Sequence, residues 1–140
     1  MTSEADLQVQ VADYLRLQYP SVMFHSDFGS GIKLTMGQAI KQKRQNGGRR
    51  AWPDMFIAEL KHDGEAINGA YFAEQVANYG LFIELKRPGT RIFKKDGTLV
   101  ADQHIREQFD VLEQLRKRGY MAEFACGFDE AKRIIDEYLR

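Results

Sequence analysis

The stretch Leu81-Phe82-Ile83-Glu84-Leu85-Lys86 is the most strand-like run in the chain and determines how the rest is interpreted. Its continuously apolar first half is typical of a strand buried on both faces of an α/β sheet. Glu84 and Lys86 follow two positions apart, so their side chains project from the same face of the strand. An unpaired charge in such surroundings costs several kcal/mol. The two residues therefore either form a structural ion pair or have a chemical function.

Periodicity and turn signals predict further elements on both sides of this stretch. Four helices are expected, over 3–18, 36–45, 102–118 and 128–138. The first begins with a Ser3–Asp6 capping box, the second is short, and the third ends at Gly119. The expected strands are 22–24, 53–60, 81–85 and 120–125, with a turn at 29–31, a short helix or irregular loop over 71–79, and turn signals compatible with a hairpin over 91–100. Residues 1–140 thus read as one α/β domain with a small central mixed sheet flanked by helices.

Composition places the chain among ordinary globular proteins. It has 140 residues, 44% apolar and 29% charged, and no apolar run reaches the ~20 residues needed to span a bilayer. A single cysteine, Cys126, excludes an internal disulfide and a multi-cysteine zinc site. With an acidic N-terminus unlike a signal peptide, the chain is expected in a reducing, cytoplasmic setting with no membrane partner.

Positive charge is concentrated in two runs, although the net charge is zero. Each run has five cations and no acid, and each adjoins a candidate site residue. A solvated surface is the alternative for either run alone, but two together favour an anionic substrate. The runs comprise Lys41, Lys43, Arg44, Arg49 and Arg50, and then Lys86, Arg87, Arg91, Lys94 and Lys95.

Two acid-x-lysine pairs near predicted strands, Glu59/Lys61 and Glu84/Lys86, are candidates to join Asp54. Side chains alternate faces along a strand, so Glu59 and Lys61 project from the face opposite Asp54 and read as a solvated pair. A neighbouring strand can instead place Glu84 and Lys86 beside Asp54. Two carboxylates and a lysine at one point of a sheet can hold a divalent cation next to a group that polarises water, the apparatus of a metal-dependent phosphodiesterase.

Gln108 lies on the apolar stripe of the predicted helix over 102–118, between Ile105 and Leu112, and so faces the sheet. A core-facing glutamine needs hydrogen-bond partners. It is expected either to bond to backbone at the edge of the core or to orient a carboxylate or phosphate at the site.

Several segments together resemble the VRR-NUC domain, part of the PD-(D/E)XK nuclease superfamily whose small stand-alone members are common in phages and prophages. They are residues 50–54, 80–87 and 107–120, with the opening 4–8 and the closing 126–131. The resemblance implies a restriction-endonuclease-like core, dependence on Mg²⁺ or Mn²⁺, and phosphodiester hydrolysis.

The resemblance also implies residue roles. Asp54 and Glu84 match the family's metal-binding acids, and the Leu85 carbonyl would add a further oxygen ligand. Lys86 matches the catalytic lysine and Gln108 the helix glutamine.

Two further comparisons with the family concern the acid on the first helix and the residue three positions before Asp54. The family carries an acid on its first helix, for which Glu4 is preferred over Asp6 because Asp6 has a capping role. Ala51 stands where the family usually has glycine, so a positive φ at that residue would be strained.

The resulting expectation is a Mg²⁺-dependent DNA endonuclease that selects branched or Holliday-junction DNA by shape, since no base-reading module is apparent. A C2 homodimer through the 71–79 segment and the hairpin near Phe93 is also expected. The alternatives are a nucleic-acid-binding accessory protein that does not cut, and a small-molecule enzyme, for which no phosphate loop or Ser/His/Asp set is present. Backbone phosphates would be contacted by Arg49, Arg50, Arg87, Arg91, Lys94 and Lys95.

Overall fold

A computed structural model describes residues 3–27 and 34–140, so the turn predicted at 29–31 lies outside the described residues. The helices are α1 (Glu4–Gln18), α2 (Met36–Gln45), α3 (Gln103–Lys117) and α4 (Phe128–Leu139), with a single 3₁₀ turn over Ala73–Gln75. The strands are β1 (Phe24–Ser26), β2 (Met55–Ile57), β3 (Lys61–His62), β4 (Val76–Asn78), β5 (Leu81–Lys86) and β6 (Met121–Cys126). No helix in the described ranges is long and apolar enough to cross a bilayer.

The central sheet has the strand order β1-β2-β5-β6. The β1–β2 and β2–β5 pairs are antiparallel, whereas β5 and β6 are parallel. The mixed α/β sheet expected from the sequence is therefore confirmed. Strand β5 is an inner strand, which explains its apolar run: Leu81, Ile83 and Leu85 are fully buried against α1 and α4.

Helix ends follow the predicted signals. Ser3 and Asp6 form the capping box of α1, and the Asp102 side chain caps α3 by accepting from the His104 and Ile105 amides. The chain leaves α3 through Gly119, whose φ is 95°, and a Cβ there would lie 2.7 Å from the Tyr79 ring. Both a left-handed backbone and close packing therefore require glycine at this stop.

Helices α1 and α4 are joined by a polar contact beside the core. Tyr14 and Tyr19 both donate to the same Asp136 carboxylate oxygen, each at 2.6 Å. Burial pulls the pKa of Asp136 upward, but the hydrogen bonds from Tyr14, Tyr19 and Lys132 outweigh it and lower that pKa to about 2. The contact is thus made by an ionised carboxylate.

The structure differs from the sequence expectations in three short segments. The first strand is Phe24–Ser26 rather than 22–24, and the second shrinks from 53–60 to Met55–Ile57. The chain then turns away, and β3 and β4 pair with each other as a separate two-stranded sheet. The hairpin compatible with the turn signals over 91–100 is present in minimal form: an antiparallel bridge joins Phe93 and Leu99, and the Lys94 and Val100 amides donate to the Thr98 and Ile92 carbonyls.

Candidate active site

The site begins where β2 and β5 run side by side. Met55 pairs with Ile83 in the antiparallel register, and one step further the same register sets Asp54 opposite Glu84. The Leu85 amide donates to Asp54 Oδ2 at 2.8 Å, which anchors the Asp54 carboxylate on β5. The two carboxylates consequently lie on the same face of the sheet, the face that packs against α3.

Glu84 is buried, with 4% of its surface exposed. Its Oε1 accepts a hydrogen bond of 2.7 Å from Gln108 Nε2 on α3, while its Oε2 accepts from no amide or hydroxyl group of the described residues; the carboxyl can share a hydrogen bond with Asp54 only when one of the two is protonated. The Gln108 amide nitrogen also lies 3.2 Å from His104 Nε2, one helical turn earlier. An amide nitrogen has two hydrogens, so Gln108 can donate to both groups when His104 Nε2 is unprotonated. Gln108 thus orients a carboxylate, one of its two predicted functions.

Burial and mutual repulsion disfavour the charged forms of the Asp54 and Glu84 carboxyl groups. Burial, followed by the charge of Asp54, raises the pKa of Glu84 well above its ordinary value. Burial also raises the pKa of Asp54, against the hydrogen bond from the Leu85 amide. A divalent cation would offset both negative charges and give the buried Glu84 Oε2 a partner.

Asp54 and Glu84 are the two carboxylates of the site that could hold a divalent cation. Within residues 3–27 and 34–140, no three His, Cys, Asp or Glu side chains form a metal-binding group. Mg²⁺ is usually bound through one or two carboxylates and completes its octahedron with water and substrate phosphate. Asp54 and Glu84 supply that number of carboxylates.

Lys86 lies on the same face of β5 as Glu84, and only 6% of its surface is exposed. Its positive charge lowers the pKa values of Glu84 and Asp54, although less than burial raises them. Glu84 and Lys86, both in the described part of the chain, are not in salt-bridge contact with each other. The structural ion pair considered from the sequence is therefore absent.

The alternative acid-x-lysine pair, Glu59 and Lys61, lies next to the C-terminal end of α4. Lys61 Nζ donates to the backbone carbonyls of Glu137 at 3.0 Å and Tyr138 at 3.3 Å. The Tyr138 hydroxyl donates to the Glu59 carbonyl at 2.7 Å. Lys61 therefore has a structural contact that satisfies the last carbonyls of a helix.

Asp54 and Glu84 open into a cleft of about 580 Å³. Glu4 lines this cleft, whereas Asp6 accepts a hydrogen bond from the Ser3 amide at 3.3 Å. Of the two first-helix acids, Glu4 is therefore the one beside the site. The wall also includes Lys43, Arg49, Arg50, Trp52, His104 and Gln108.

The two positively charged runs separate in space. The first run reaches the cleft through Lys43, Arg49 and Arg50, and Arg50 is held by Glu107 at 3.2 Å. Arg91 of the second run lines a different cavity, of about 610 Å³, next to Phe93. Among the residues lining the Asp54–Glu84 cleft in the described structure, none comes from the second run: Arg87, Lys94 and Lys95 are not part of its wall, and neither is Lys86, although its charge acts on both carboxylates.

Three contributors to the site were not identified from the sequence. Gln8 of α1 is buried and donates to the backbone carbonyls of Asp27 at 2.8 Å and Asp54 at 3.3 Å. It holds the chain that carries Asp54, and the signal was its position beside Leu7 on the apolar side of α1. His104 and Trp52 also line the cleft.

Ala51 has the positive φ considered from the sequence, at 63°. This left-handed conformation costs an alanine roughly 1–2 kcal/mol. The strain is located three residues before Asp54, at the bend that leads the chain into β2.

Comparisons with known proteins support the fold. No protein-family model matches the chain, and no curated protein matches it. A solved structure described as a VRR_NUC domain protein is similar over 98% of this chain and 88% of that chain, with 23% sequence identity and a TM-score of 0.61. The chain therefore has the fold of a VRR_NUC domain protein, as its sequence resemblance implied.

Proposed function

We propose that this protein is a Mg²⁺-dependent DNA endonuclease that hydrolyses phosphodiester bonds in branched DNA. The main support is the pairing of Asp54 and Glu84, two carboxylates whose charged forms are disfavoured unless a cation joins them. The VRR_NUC fold agrees with a nuclease-type domain. The cations along the cleft suit a polyanionic substrate.

Asp54, Glu84 and the Leu85 carbonyl would hold the ion, with Glu4 close enough to contribute through solvent. When bound, Mg²⁺ supplies Lewis acidity that lowers the pKa of water and offsets phosphate charge; Mn²⁺ is expected to substitute. Gln108 fixes Glu84 through Oε1, which leaves Oε2 free to act as a ligand.

Lys86 would act on the nucleophile. Because its ammonium is not paired with Glu84, Nζ is free to hydrogen-bond the attacking water and orient it toward the phosphorus. The same charge would stabilise the negative charge that develops on the phosphate oxygens in the transition state. Lys43, Arg49 and Arg50 would hold the DNA backbone through phosphate contacts, which position the strand without reading its sequence.

Selectivity for branched DNA and assembly as a homodimer belong to the same proposal. Tyr71, Phe72, Tyr79 and Phe93 are exposed aromatic side chains away from the cleft, and they provide the contact surface we assign to a second copy. Two active sites related by a twofold axis would meet the two strands of a junction. A monomeric mass in solution at working concentration would contradict this part. We place the activity in the cytoplasm of a bacterial or phage-infected cell.

The test is cleavage of a labelled panel containing single-stranded, duplex, flap and four-way-junction DNA. Each substrate is incubated with Mg²⁺, Mn²⁺ or EDTA. We expect cutting of a branched form with either metal and no cutting in EDTA. Binding without cutting under every condition would instead support an accessory protein that retains the fold.

A further inference from the structure

Trp52 is the only tryptophan in the chain, and 39% of its surface is exposed. Tryptophan is among the side chains most buried on average in folded proteins. This one lies two residues before Asp54 and lines the same cleft as Asp54 and Glu84. A large aromatic surface is therefore left open to solvent at the edge of the candidate active site.

The indole packs against a cluster of aromatic side chains. Its ring centroid lies 6.0 Å from that of Phe82, which stacks on Phe56 at 4.4 Å and meets Tyr120 edge-on at 5.2 Å. Because one side of the ring is already packed against Phe82, the indole has fewer alternative positions and loses less conformational entropy when a ligand packs against its exposed side.

The surroundings of Trp52 suit a nucleotide more than an apolar partner. Arg49 and Arg50 line the cleft beside it, and Arg50 is oriented by Glu107. An aromatic face flanked by phosphate-binding cations is the arrangement by which proteins bind single-stranded nucleic acid.

We infer that Trp52 stacks on an unpaired nucleobase next to the scissile phosphate. Both faces of a base inside a duplex are covered by its neighbours, so only a nucleotide outside the stack can present a face to the indole. The inference rests on the proposed function for its nucleic-acid substrate and makes that substrate more specific: a strand with at least one unpaired nucleotide at the cleavage position.

The test uses the fluorescence of the single tryptophan. The protein is titrated in EDTA with a single-stranded oligonucleotide, and separately with the blunt duplex of the same sequence. We expect base stacking to quench Trp52 emission with the single strand and to leave it nearly unchanged with the duplex. Anisotropy of labelled DNA gives the affinities independently. Trp52→Leu should weaken single-strand binding by about 5- to 100-fold, the range for one stacked base.

The conservative variant Trp52→Phe keeps a stacking face and is expected to retain most of the single-strand affinity. Thermal melting of both variants checks that they fold. Duplex affinity should be the same in wild type, Trp52→Leu and Trp52→Phe.

The inference is overturned if bound single strand leaves the emission unchanged, or if Trp52→Leu weakens single-strand and duplex binding equally. It is also overturned if Trp52→Leu lowers the oligomeric mass, since Trp52 would then be a contact between copies. The proposed function fails separately: quenching in EDTA without any cutting in Mg²⁺ refutes the endonuclease, whereas metal-dependent cutting without quenching refutes only the stacking.

Discussion

Replacing Glu84 with glutamine should stabilise the metal-free protein while removing a carboxylate that the proposed activity needs. Burial and then Asp54 raise the pKa of Glu84, whereas the carboxyl of the unfolded chain titrates near about 4.3. Between those two values the folded protein retains a proton that the unfolded chain has released. The free energy of unfolding of wild type therefore falls as the pH rises through this window. A glutamine avoids this loss because it does not titrate.

The size of the effect follows from the burial. From about pH 4.3 to pH 8 there are almost four pH units, each worth about 1.4 kcal/mol, which sets an upper limit of about 5 kcal/mol. The open cleft and the charge of Lys86 reduce this value, because an effective dielectric constant near 20 describes such sites better than 4. We expect Glu84→Gln to add about 1–3 kcal/mol at pH 8. For a domain of this size the melting temperature would rise by about 3–10 °C.

The assay is thermal unfolding in EDTA at pH 5 and pH 8. Glu59→Gln is the matched control, since Glu59 is the exposed acid of the other acid-x-lysine pair and should leave the melting temperature unchanged at both pH values. The advantage of Glu84→Gln should be small at pH 5 and large at pH 8. A variant less stable than wild type at pH 8, or an advantage independent of pH, would refute the reasoning.

Three further variants test other parts of the structure. Ala51→Gly should raise the free energy of unfolding by about 0.5–1 kcal/mol in urea denaturation, because glycine adopts the observed φ of 63° without strain; a lower value would contradict this. Gln108→Ala removes the hydrogen bond to Glu84 and should weaken Mn²⁺ binding by about 10- to 100-fold in calorimetric titration, so an unchanged Kd would refute the orienting role. Asp136→Asn should cost about 1–3 kcal/mol at pH 7. Because the folded pKa of Asp136 is depressed to about 2, this deficit should shrink as the pH falls from about 4 toward 2, and a constant deficit in urea melts across that range would contradict it.

The elements that could be predicted from the sequence are those whose own residues show a clear hydrophobic pattern or clear boundary residues. The apolar run of β5 indicated an inner strand, and the stripe of α3 with its Asp102 and Gly119 boundaries predicted that helix almost to the residue. Side-chain alternation excluded Glu59 and Lys61 and allowed a neighbouring strand to bring Glu84 beside Asp54, whereas the register of β2 on β5 that does so comes from the structure. The chemical roles of these residues remain predictions.

The rest depended on pairings that local sequence does not encode. Strands β3 and β4 are only two and three residues long, and each exists because it pairs with the other although residues 63–75 separate them along the chain. Residues 87–95 leave β5 in a direction that places Arg91 at a different cavity from the Asp54–Glu84 cleft. Nothing in the composition of that run predicts this direction. Gln8 looked like one polar residue in a helix, since its partners, the carbonyls of Asp27 and Asp54, come from distant parts of the chain.

The most direct test of the central claim compares two lysines that occupy equivalent positions in the two acid-x-lysine pairs. Cleavage of a labelled flap, a branched DNA with an unpaired strand, is measured for wild type, Lys86→Ala and Lys61→Ala, in Mg²⁺ and in EDTA. We expect Mg²⁺-dependent cutting by wild type and Lys61→Ala, and loss of cutting in Lys86→Ala with DNA binding retained. Cutting by Lys86→Ala at the wild-type rate, or cutting by wild type in EDTA, would contradict the central claim.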